Sequence, residues 1–196
     1  MGRSQAAKAE THERIVQIAS ERLRASGLDG VSVSDLMKEA GLTVGGFYRH
    51  FATREDLVAE AVAVGQGKWQ DRMAQAASEE EKPQIAELID RYLSPAHRDS
   101  PAAGCLAAAL VGEIARSGPQ IRSRFTEGLA MSFDLLVDRL RAAGNFDDDV
   151  AARAKAITIY SALIGAIGFA RAVDDPALSA EIMESAAVQI KALAAS

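Results

Sequence analysis

The chain has few of the side chains from which disulfides and metal sites are built. Its 196 residues include a single cysteine, Cys105, and three histidines that lie far apart, His12, His50 and His97. A single cysteine excludes an internal disulfide and a cysteine-based zinc site, and it suits a reducing compartment. We therefore expect no metal and no cofactor, and we predict a cytoplasmic protein.

Long hydrophobic runs are also missing. The longest, Ala156 to Ala170, has 15 residues, two of them glycines. That is shorter than the roughly 20 apolar residues that cross a bilayer. No charged segment followed by an apolar one stands at the N-terminus, so no signal peptide is predicted. We expect a buried helix in this run and no membrane partner.

Catalytic side chains form no recognisable constellation. None of the histidines has a serine and a carboxylate at a suggestive spacing, and the chain has no glycine-rich phosphate loop. With 48% apolar residues, the chain can bury a sizeable core as one domain, or as one domain with a small appendage. We predict that it is not an enzyme.

Charge is distributed unevenly along a chain whose net charge is −5. Residues 1–54, called the head below, carry eight basic and six acidic side chains, a net of +2, so residues 55–196, called the body, carry −7. A mildly basic head on an acidic body is typical of a DNA-binding module joined to a domain that does not touch DNA. A difference of this size also arises by chance.

Apolar residues recur at spacings of three and four throughout the chain, for example in residues 15–23 and 129–140. No segment shows the alternation of a strand, so we predict an all-α fold. Glycines and capping residues divide it into about nine helices. Four prolines stand where first-turn prolines belong: Pro83, Pro101, Pro119 and Pro176.

Two short helices are predicted in the head, at residues 32–40 and 43–51. Ser32 and Asp35 form a capping box at the start of the first helix. A two-residue turn that begins with Gly41 joins the helices, which is the spacing of a helix-turn-helix. The head is therefore predicted to contain a three-helix DNA-binding unit.

The second of these helices has two distinct faces. At 100° per residue, Val44, Phe47 and Phe51 share one face, which we predict to be buried. The other face presents adjacent glycines, 45–46, together with Arg49. Each glycine costs about 1 kcal/mol of helix stability relative to alanine. Close approach of the backbone to another surface, such as the major groove of DNA, would explain that cost.

The stretch SVSDLMKEAGLTVGGFYRHFATREDL, residues 32–57, resembles the DNA-binding domain of the tetracycline-repressor (TetR) family of bacterial transcription regulators. Two positions depart from the family pattern, because Val44 stands where many members have a polar or basic residue and Arg54 replaces the usual lysine. The matching positions are Gly41, Leu42, Thr43, Gly45, Phe47, Tyr48, His50, Phe51, Thr53, Glu55 and Leu57.

The resemblance implies contacts with a double-stranded DNA operator. It places the hydroxyl of Tyr48 on a phosphate, and an arginine such as Arg49 can pair with guanine. Alternatively, Tyr48 is only an aromatic side chain at the edge of the core, and Arg49 is only a solvated charge. A histidine at the position of His50 is more often a packed or capping group than one that contacts DNA. The predicted DNA-binding residues are Ser32, Thr43, Val44, Gly45, Gly46, Tyr48, Arg49, His50 and Arg54.

The resemblance also implies that residues 1–54 form the DNA-binding domain and that residues 55–196 form a ligand-binding and dimerisation domain. A helical bundle with aromatic side chains and few polar groups is a plausible site for a small-molecule effector. Most of these side chains also suit an ordinary hydrophobic core. The candidates to line a ligand cavity are Trp69, Met73, Cys105, Phe125, Phe133, Tyr160 and Phe169.

Small residues in TIYSALIGAIGFARAV, residues 158–173, recur at spacings that allow close helix contacts. By resemblance, the last two helices of each subunit form the homodimer. Tight packing inside one subunit is the alternative. The predicted interface residues are Ser161, Ala162, Gly165, Ala166 and Gly168.

These features together predict a homodimeric repressor that binds a roughly palindromic operator and is released by a small-molecule ligand. Gly65 and Gly67 could soften the fourth helix as a hinge, or they are simply tolerated there. One alternative is a DNA-binding protein with an architectural or division role and no ligand. Another is a repressor that senses oxidants or electrophiles through Cys105, as a subset of the family does. An enzyme with an incidental helix-turn-helix is improbable without a catalytic set.

Overall fold

The computed structural model describes the backbone of residues 2–78, 85–142 and 148–196, and their side chains except at residues 2–4 and 72–78. The all-α prediction is confirmed, because these described ranges contain helices and no strand. The described residues form ten α-helices, against about nine predicted, together with a short 3-10 helix at Pro101–Ala103.

The helices run in chain order through the head and the body. They are α1 (Gly2–Ser26), α2 (Val33–Glu39), α3 (Val44–Phe47), α4 (Arg54–Ser78), α5 (Ile85–Tyr92), α6 (Pro95–Arg98), α7 (Leu106–Ile114), α8 (Pro119–Ala142), α9 (Asp149–Ala172) and α10 (Pro176–Ala195).

Helix α4 holds the structure together, because it packs against both α1 and α8. In the body, α9 packs against α8 and α10, and α5 packs against α10. The core that results is continuous along the chain, from Ile15 in α1 through Val62 in α4 to Ile159 in α9, all of them fully buried. The predicted division between residues 54 and 55 falls at the first residue of α4 and remains a prediction.

The turn between α2 and α3 has the geometry of a Schellman motif. Gly41 has φ +69°, a left-handed conformation that favours glycine. Its N–H donates to the carbonyl of Lys38 at 3.0 Å, and the N–H of Leu42 donates to the carbonyl of Met37 at 2.8 Å. At the other end of α2, Ser32 accepts a hydrogen bond from the N–H of Asp35, as the predicted capping box requires.

The second predicted head helix is shorter than expected. Residues 43–51 were predicted as one helix, whereas α3 ends at Phe47 and continues as a turn. The N–H groups of Arg49 and His50 donate to carbonyls three residues back, at Gly46 and Phe47. Two adjacent glycines at 45–46 explain the poor helix, because each favours non-helical backbone.

Three of the four first-turn prolines can be compared with the structure. Pro119 and Pro176 begin α8 and α10, as predicted. Pro101 instead begins the 3-10 helix, and Pro95, which was not predicted, begins α6. Pro83 lies outside the described residues.

Helix α9 is longer than the apolar run that indicated it. It has 24 residues and a mean hydropathy of 1.4 in its most apolar window, so length and composition alone would allow it to cross a membrane. A core helix of a folded protein passes the same test. Here α9 packs against α7, α8 and α10, with eight buried residues that include Ile159, Leu163 and Ile167.

Gly65 lies where three helices cross, and this contact contradicts a role as a hinge. A Cβ at this position would lie 2.3 Å from Cδ1 of Leu106 in α7, 2.8 Å from Oγ of Ser20 and 2.9 Å from Nη1 of Arg24 in α1. A Cβ at Gly67, two residues later, would meet nothing within 4 Å. Gly65 therefore lets α1 and α7 approach α4 closely.

Substitution of these two glycines should have opposite effects on stability. We expect Gly65→Ala to lower the free energy of unfolding by about 1–3 kcal/mol, because the added methyl overpacks the crossing. Gly67→Ala should raise it by about 0.5–1 kcal/mol, because alanine favours the helix and its methyl has room. Urea unfolding of both variants measures the difference, and equal effects would contradict the close crossing.

Candidate DNA-binding surface and ligand cavity

A continuous exposed surface surrounds α3. Tyr48 is 73% exposed and Val44 is 47% exposed, and Thr43, Gly45 and Arg49 are exposed beside them. Arg49 forms no ion pair within the described residues. The arrangement can therefore present a hydroxyl, a cation and bare backbone to one partner surface.

Two phenylalanines fix this surface to the rest of the head, as predicted. Phe47 and Phe51 are buried, with ring centroids 5.4 Å apart. His12 of α1 stacks on Phe51 at 4.5 Å, and its Nε2 is hydrogen-bonded to Glu60 of α4 at 2.6 Å. The prediction that Val44 shares the buried face was wrong, because Val44 is the first residue of α3 and its side chain is 47% exposed.

The two glycines of α3 have different surroundings. A Cβ at Gly45 would meet nothing within 4 Å, so no contact in this chain explains the absence of a side chain there. A Cβ at Gly46 would lie 3.6 Å from Cε of Met37, an ordinary contact, and Gly46 is half-buried. Gly45 is thus the open backbone position on this surface.

Thr43 and Ser32 precede the two helices of the motif, and both are exposed. Thr43 occupies the N-cap of α3, but its side chain makes no capping hydrogen bond. Ser32 is engaged with Asp35, to whose carboxylate it donates at 2.6 Å.

Arg54 and His50 have contacts inside the chain. The guanidinium of Arg54 donates from Nε to the carbonyl of Val31 at 3.1 Å and from Nη2 to the carbonyl of Leu28. It therefore holds the turn after α1, and a phosphate contact from this residue stays a prediction. Burial, with smaller effects from His12 and other nearby cations, lowers the pKa of His50, which is therefore neutral near pH 7.

A cavity of about 370 Å³ lies in the body, bounded by α4, α5, α8, α9 and the segment that links α5 to α7. Its volume is within the range of small-molecule sites, and most of its lining is apolar. The lining residues are Trp69, Ile85, Leu88, Ile89, Arg91, Tyr92, Ser94, Ala96, His97, Ser100, Ala103, Gly104, Cys105, Leu136, Ile159 and Leu163.

His97 organises the polar end of this cavity. Its Nε2 accepts a hydrogen bond from the N–H of Cys105 at 3.0 Å, so Nδ1 carries the proton and donates to the carbonyl of Tyr92 at 2.6 Å. This pattern requires a neutral imidazole. A Cβ at Gly104 would lie 2.8 Å from Nε2 of His97, which explains the glycine before the cysteine.

Two tyrosines flank the buried thiol of Cys105. The Sγ atom lies 3.9 Å from the hydroxyl of Tyr160. The hydroxyl of Tyr92 is buried and has no hydrogen-bond partner among the described residues. Burial, and then the neighbouring Cys105, raise the pKa of both tyrosines well above the ordinary value. Both hydroxyls therefore stay protonated and can donate.

Arg171 of α9 supplies the positive charge beside this cluster. Its Nε donates to the carbonyl of Arg98 at 3.0 Å and its Nη2 to the carbonyl of His97 at 2.7 Å. Burial lowers the pKa of Arg171, and nearby Tyr92 and Cys105 partly oppose that effect. Arg98 itself is paired with Asp99, at 2.7 Å from Nε to Oδ1.

The predicted ligand residues separate into two groups. Trp69 and Cys105 line the cavity. Tyr160 lies behind the wall, where it packs edge-on against Trp69 with ring centroids 5.0 Å apart. The structure does not place Phe125, Phe133 or Phe169 in the lining.

Each of these three phenylalanines has a different position. Phe125 is buried between α8 and α4, near the amide of Gln66, and Phe133 packs against Tyr160 and Arg153. Phe169 is 68% exposed, so its assignment to the cavity was wrong. Helix α9 turns that side chain away from the core. The side chain of Met73 lies outside the described residues.

A buried arginine connects the cavity wall to the head. Arg24, near the end of α1, donates from Nε to the carbonyl of Ala102 at 2.6 Å and from Nη1 to Oγ of Ser20 at 2.8 Å. Ala102 belongs to the 3-10 helix, and the cavity residues Ala103, Gly104 and Cys105 directly follow Ala102 in the chain. Sequence reasoning counted Arg24 only as a head charge and missed this contact, because its partner is a backbone atom 78 residues away.

Most of the predicted interface residues lie on an accessible face of α9. Ser161 is exposed, and Ala162, Gly165 and Gly168 are half-buried. A Cβ at either glycine would meet nothing within 4 Å in this chain. Ala166 is buried in the monomer core, so the prediction that it faces a partner was wrong. Exposed apolar side chains continue this face: Ile157, Phe169, Leu178 and Val188.

Comparison with known protein families decides the identity of the fold. Residues 15–61, which contain α2 and α3, match the family described as bacterial regulatory proteins, tetR family. Residues 81–186 match the tetracyclin repressor-like C-terminal domain. Together the matches cover more than half of the chain. The chain belongs to the TetR family. It is a DNA-binding transcriptional regulator, and regulators of this family generally have no enzymatic activity and typically dimerise.

Individual relatives of this TetR-family regulator agree with that assignment. The chain is 40% identical over 47 residues to YvdT, an uncharacterized HTH-type transcriptional regulator of Bacillus subtilis, and the match spans 24% of this chain and 24% of that relative. A TetR transcriptional regulator from Chloroflexus aurantiacus is 26% identical, with a TM-score of 0.74, over 99% of this chain and 95% of its own. The reduced form of E. coli NemR is 20% identical, with a TM-score of 0.76, over 93% and 96% of the two chains, and this likeness shows the fold.

The open position in α3 leads to a test of close approach to DNA. We expect Gly45→Ala to keep or raise the stability of the TetR-family regulator, by up to about 1 kcal/mol, because its methyl meets nothing in the chain. The same methyl should weaken operator binding if the backbone lies against DNA. Gly112→Ala, at an equally open position in α7, is the control and should leave DNA binding unchanged. Parent affinity in Gly45→Ala, measured on an operator selected from random DNA, would contradict close approach.

Proposed function

We propose that this TetR-family protein is a homodimeric, cytoplasmic repressor that binds a roughly palindromic operator and leaves it when a small molecule occupies the body cavity. The observation that carries the proposal is the hydrogen bond from Arg24 to the carbonyl of Ala102 at 2.6 Å. It joins α1, which supports the DNA-binding surface, to the wall of the cavity. A movement of that wall would therefore be transmitted directly to α1 in the head.

Operator binding would use the exposed surface around α3. The N-terminal end of α3 would enter the major groove, with Gly45 allowing the backbone to lie close to the DNA. Arg49 would contact a base or a phosphate, and Tyr48 a phosphate. Val44 is exposed and apolar, which suits contact with a thymine methyl group.

The dimer would form through the outer face of α9 and α10. Open glycines at 165 and 168 and the exposed Phe169 support this assignment, because a partner helix could approach the glycines while the aromatic ring packs beside them. A two-fold axis at this face would place two copies of α3 on successive major grooves, about 34 Å apart or a multiple of that distance.

Release from the operator would follow from a shift between two arrangements of the cavity wall and α1. A ligand that fits the cavity better when residues 101–105 move would favour that arrangement. Because Arg24 holds residue 102 and packs at the crossing with Gly65, the shift would reposition α1 against α4. The separation of the two α3 helices in the dimer would then no longer match the operator.

Sensing through Cys105 is a second candidate function, since the thiol lines the cavity and Cys105 is the N-cap of α7. Arg171 is a cation beside it. Modification of the thiol would insert new atoms at the junction of the cavity wall with α7. The buried position limits this chemistry to reagents small enough to enter the cavity.

Removal of the Arg49 side chain tests the DNA-binding surface. Arg49→Ala should weaken binding to the selected operator by about 1–3 kcal/mol if the residue contacts a base, and Tyr48→Phe should lower affinity more evenly across DNA sequences. Arg122→Ala removes an exposed cation of the body and serves as the charge control. Fluorescence anisotropy in moderate salt gives the affinities. Unchanged operator binding by Arg49→Ala would place the recognition surface elsewhere.

The dimer face is tested at Gly165. Gly165→Leu should give a folded monomer with weak operator binding, because a symmetric interface would contain two added side chains and overpacking costs about 1–3 kcal/mol. Gly112→Leu has the same chemistry on α7 and should leave the dimer intact. Sedimentation velocity distinguishes the two. A dimeric Gly165→Leu protein would show that subunits associate through another face.

The candidate role of Cys105 has its own test. Cys105→Ser should bind the operator as the parent does, yet it should remain bound after treatment with mild oxidant or a small quinone-like electrophile that releases the parent. Mass spectrometry of the treated native protein identifies the modified residue. Release of the serine variant, or an unmodified Cys105 in a released parent, would leave sensing to a non-covalent ligand.

A further inference from the structure

We propose that the effector is a small apolar compound with a hydrogen-bond-accepting oxygen at one end, neutral or anionic in charge, and that the hydroxyl of Tyr92 donates to this oxygen. The inference rests on the proposed function of the cavity as the effector site. It adds the chemical class of the effector and the residue that recognises it.

Tyr92 supplies the first part of the argument. Its side chain lines the cavity and is 7% exposed, and its hydroxyl lies near the weakly accepting thiol of Cys105 but meets no partner with hydrogen-bond geometry in the described part of the chain. Buried hydroxyl groups are normally paired, because an unpaired one loses its hydrogen bonds with water and gains nothing in return. A ligand oxygen that accepts from Tyr92 would restore the missing bond.

Two other polar side chains of the lining, His97 and Ser94, already have hydrogen-bond partners. Both nitrogens of His97 are used, one by the carbonyl of Tyr92 and one by the N–H of Cys105. The hydroxyl of Ser94 donates to the carbonyl of Arg91 at 2.9 Å and accepts from the N–H of His97 at 3.2 Å. Tyr92 is therefore the buried hydroxyl of the lining that is still available to donate a hydrogen bond to a ligand.

The charges around the cavity determine which ligands it accepts. Among the described residues, the lining contains one charged side chain, Arg91, and no carboxylate, and the hydrogen bonds of His97 keep that ring neutral. Arg171 adds a second positive charge behind Gly104. A cationic ligand would meet two positive charges, and the nearby carboxylate of Asp99 is paired with Arg98, whereas a carbonyl or a carboxylate ligand would be favoured.

The remaining walls require an apolar ligand. Aliphatic side chains from four helices face the same space, among them Leu88, Leu136, Ile159 and Leu163, and the ring of Trp69 closes one side. A volume of about 370 Å³ suits a compound of roughly drug-fragment size. The polar contact at Tyr92 then orients a ligand that hydrophobic burial holds.

Fluorescence of Trp69 can measure this binding without DNA, because it is the only tryptophan in the chain. Three probes with similar chains differ at the polar end: 2-octanone has a neutral acceptor, octanoate an anionic one, and octylamine a cation without an acceptor oxygen. We expect 2-octanone and octanoate to change the fluorescence of the intact protein with dissociation constants at least about tenfold lower than that of octylamine.

Tyr92→Phe isolates the hydroxyl. It should weaken binding of 2-octanone about five- to tenfold and should not lower the thermal stability of the free protein, because the deleted hydroxyl is unpaired. Tyr160→Phe deletes a hydroxyl on the other side of Cys105, outside the lining, and should leave the affinity unchanged. If a variant folds poorly, the affinities of the parent protein for 2-octanone and octylamine still test the ligand class.

Two results would overturn the inference. One is octylamine binding as tightly as 2-octanone, and the other is an unchanged affinity of 2-octanone for folded Tyr92→Phe. Failure of the proposed function is a different result. If 2-octanone and octanoate bind with the expected preference but never release the operator, the ligand class stands and the cavity is not the regulatory site. Release by octylamine alone would support regulation and refute the ligand class.

Discussion

Helices α1, α4 and α7 approach one another at Gly65 more closely than a side chain at that position would allow. The nearest atoms belong to Leu106, Ser20 and Arg24, so one crossing involves the DNA-binding head, the helix that leaves it and the helix that follows the cavity wall. Arg24 uses the same location to bind the carbonyl of Ala102. Since interiors are close-packed and deform little, a displacement on any of the three helices must be shared by the others. The communication that we propose between the cavity and the DNA-binding surface would depend on this contact.

Hydrogen bonds within the cavity wall hold residues 94–105 in place. They also determine which polar groups remain available to bind a ligand. Residues 94–105 form only two short helical segments, α6 and the 3-10 helix, and several of their backbone polar groups are paired through His97, Arg171 and the cap at Ser94. These hydrogen bonds hold the wall in the arrangement that the structure shows. The hydroxyl of Tyr92 and Nη1 of Arg171 are buried without a hydrogen-bond partner among the described residues. Of these two donors, Tyr92 belongs to the cavity lining, as expected of a site that recognises a ligand by shape and a single polar contact.

The candidate DNA-binding surface is held in place by buried aromatic side chains and a turn, with its own side chains exposed. Phe47 and Phe51 anchor it from beneath, and the Schellman turn at Gly41 sets the angle at which α3 leaves α2. The exposed residues above, Tyr48 and Arg49 among them, are consequently held by rigid neighbours while their own side chains remain accessible. The glycine at position 45 has no structural role within the chain, and this supports its assignment to a partner surface.

The sequence by itself determined the features that depend on local interactions. Periodicity predicted an all-α fold, Gly41 and the cap at Ser32 predicted the helix-turn-helix, and the pattern around Phe47 and Phe51 indicated the family. The tertiary structure alone decided which side of each long helix meets which neighbour. Helix α9 is apolar on several faces, so spacing could not show that Phe169 points outward or that Ala166 points inward. Likewise, Tyr92 and His97 became site residues only because the chain after α5 folds back onto Cys105, a contact set by packing between distant segments and by no local rule.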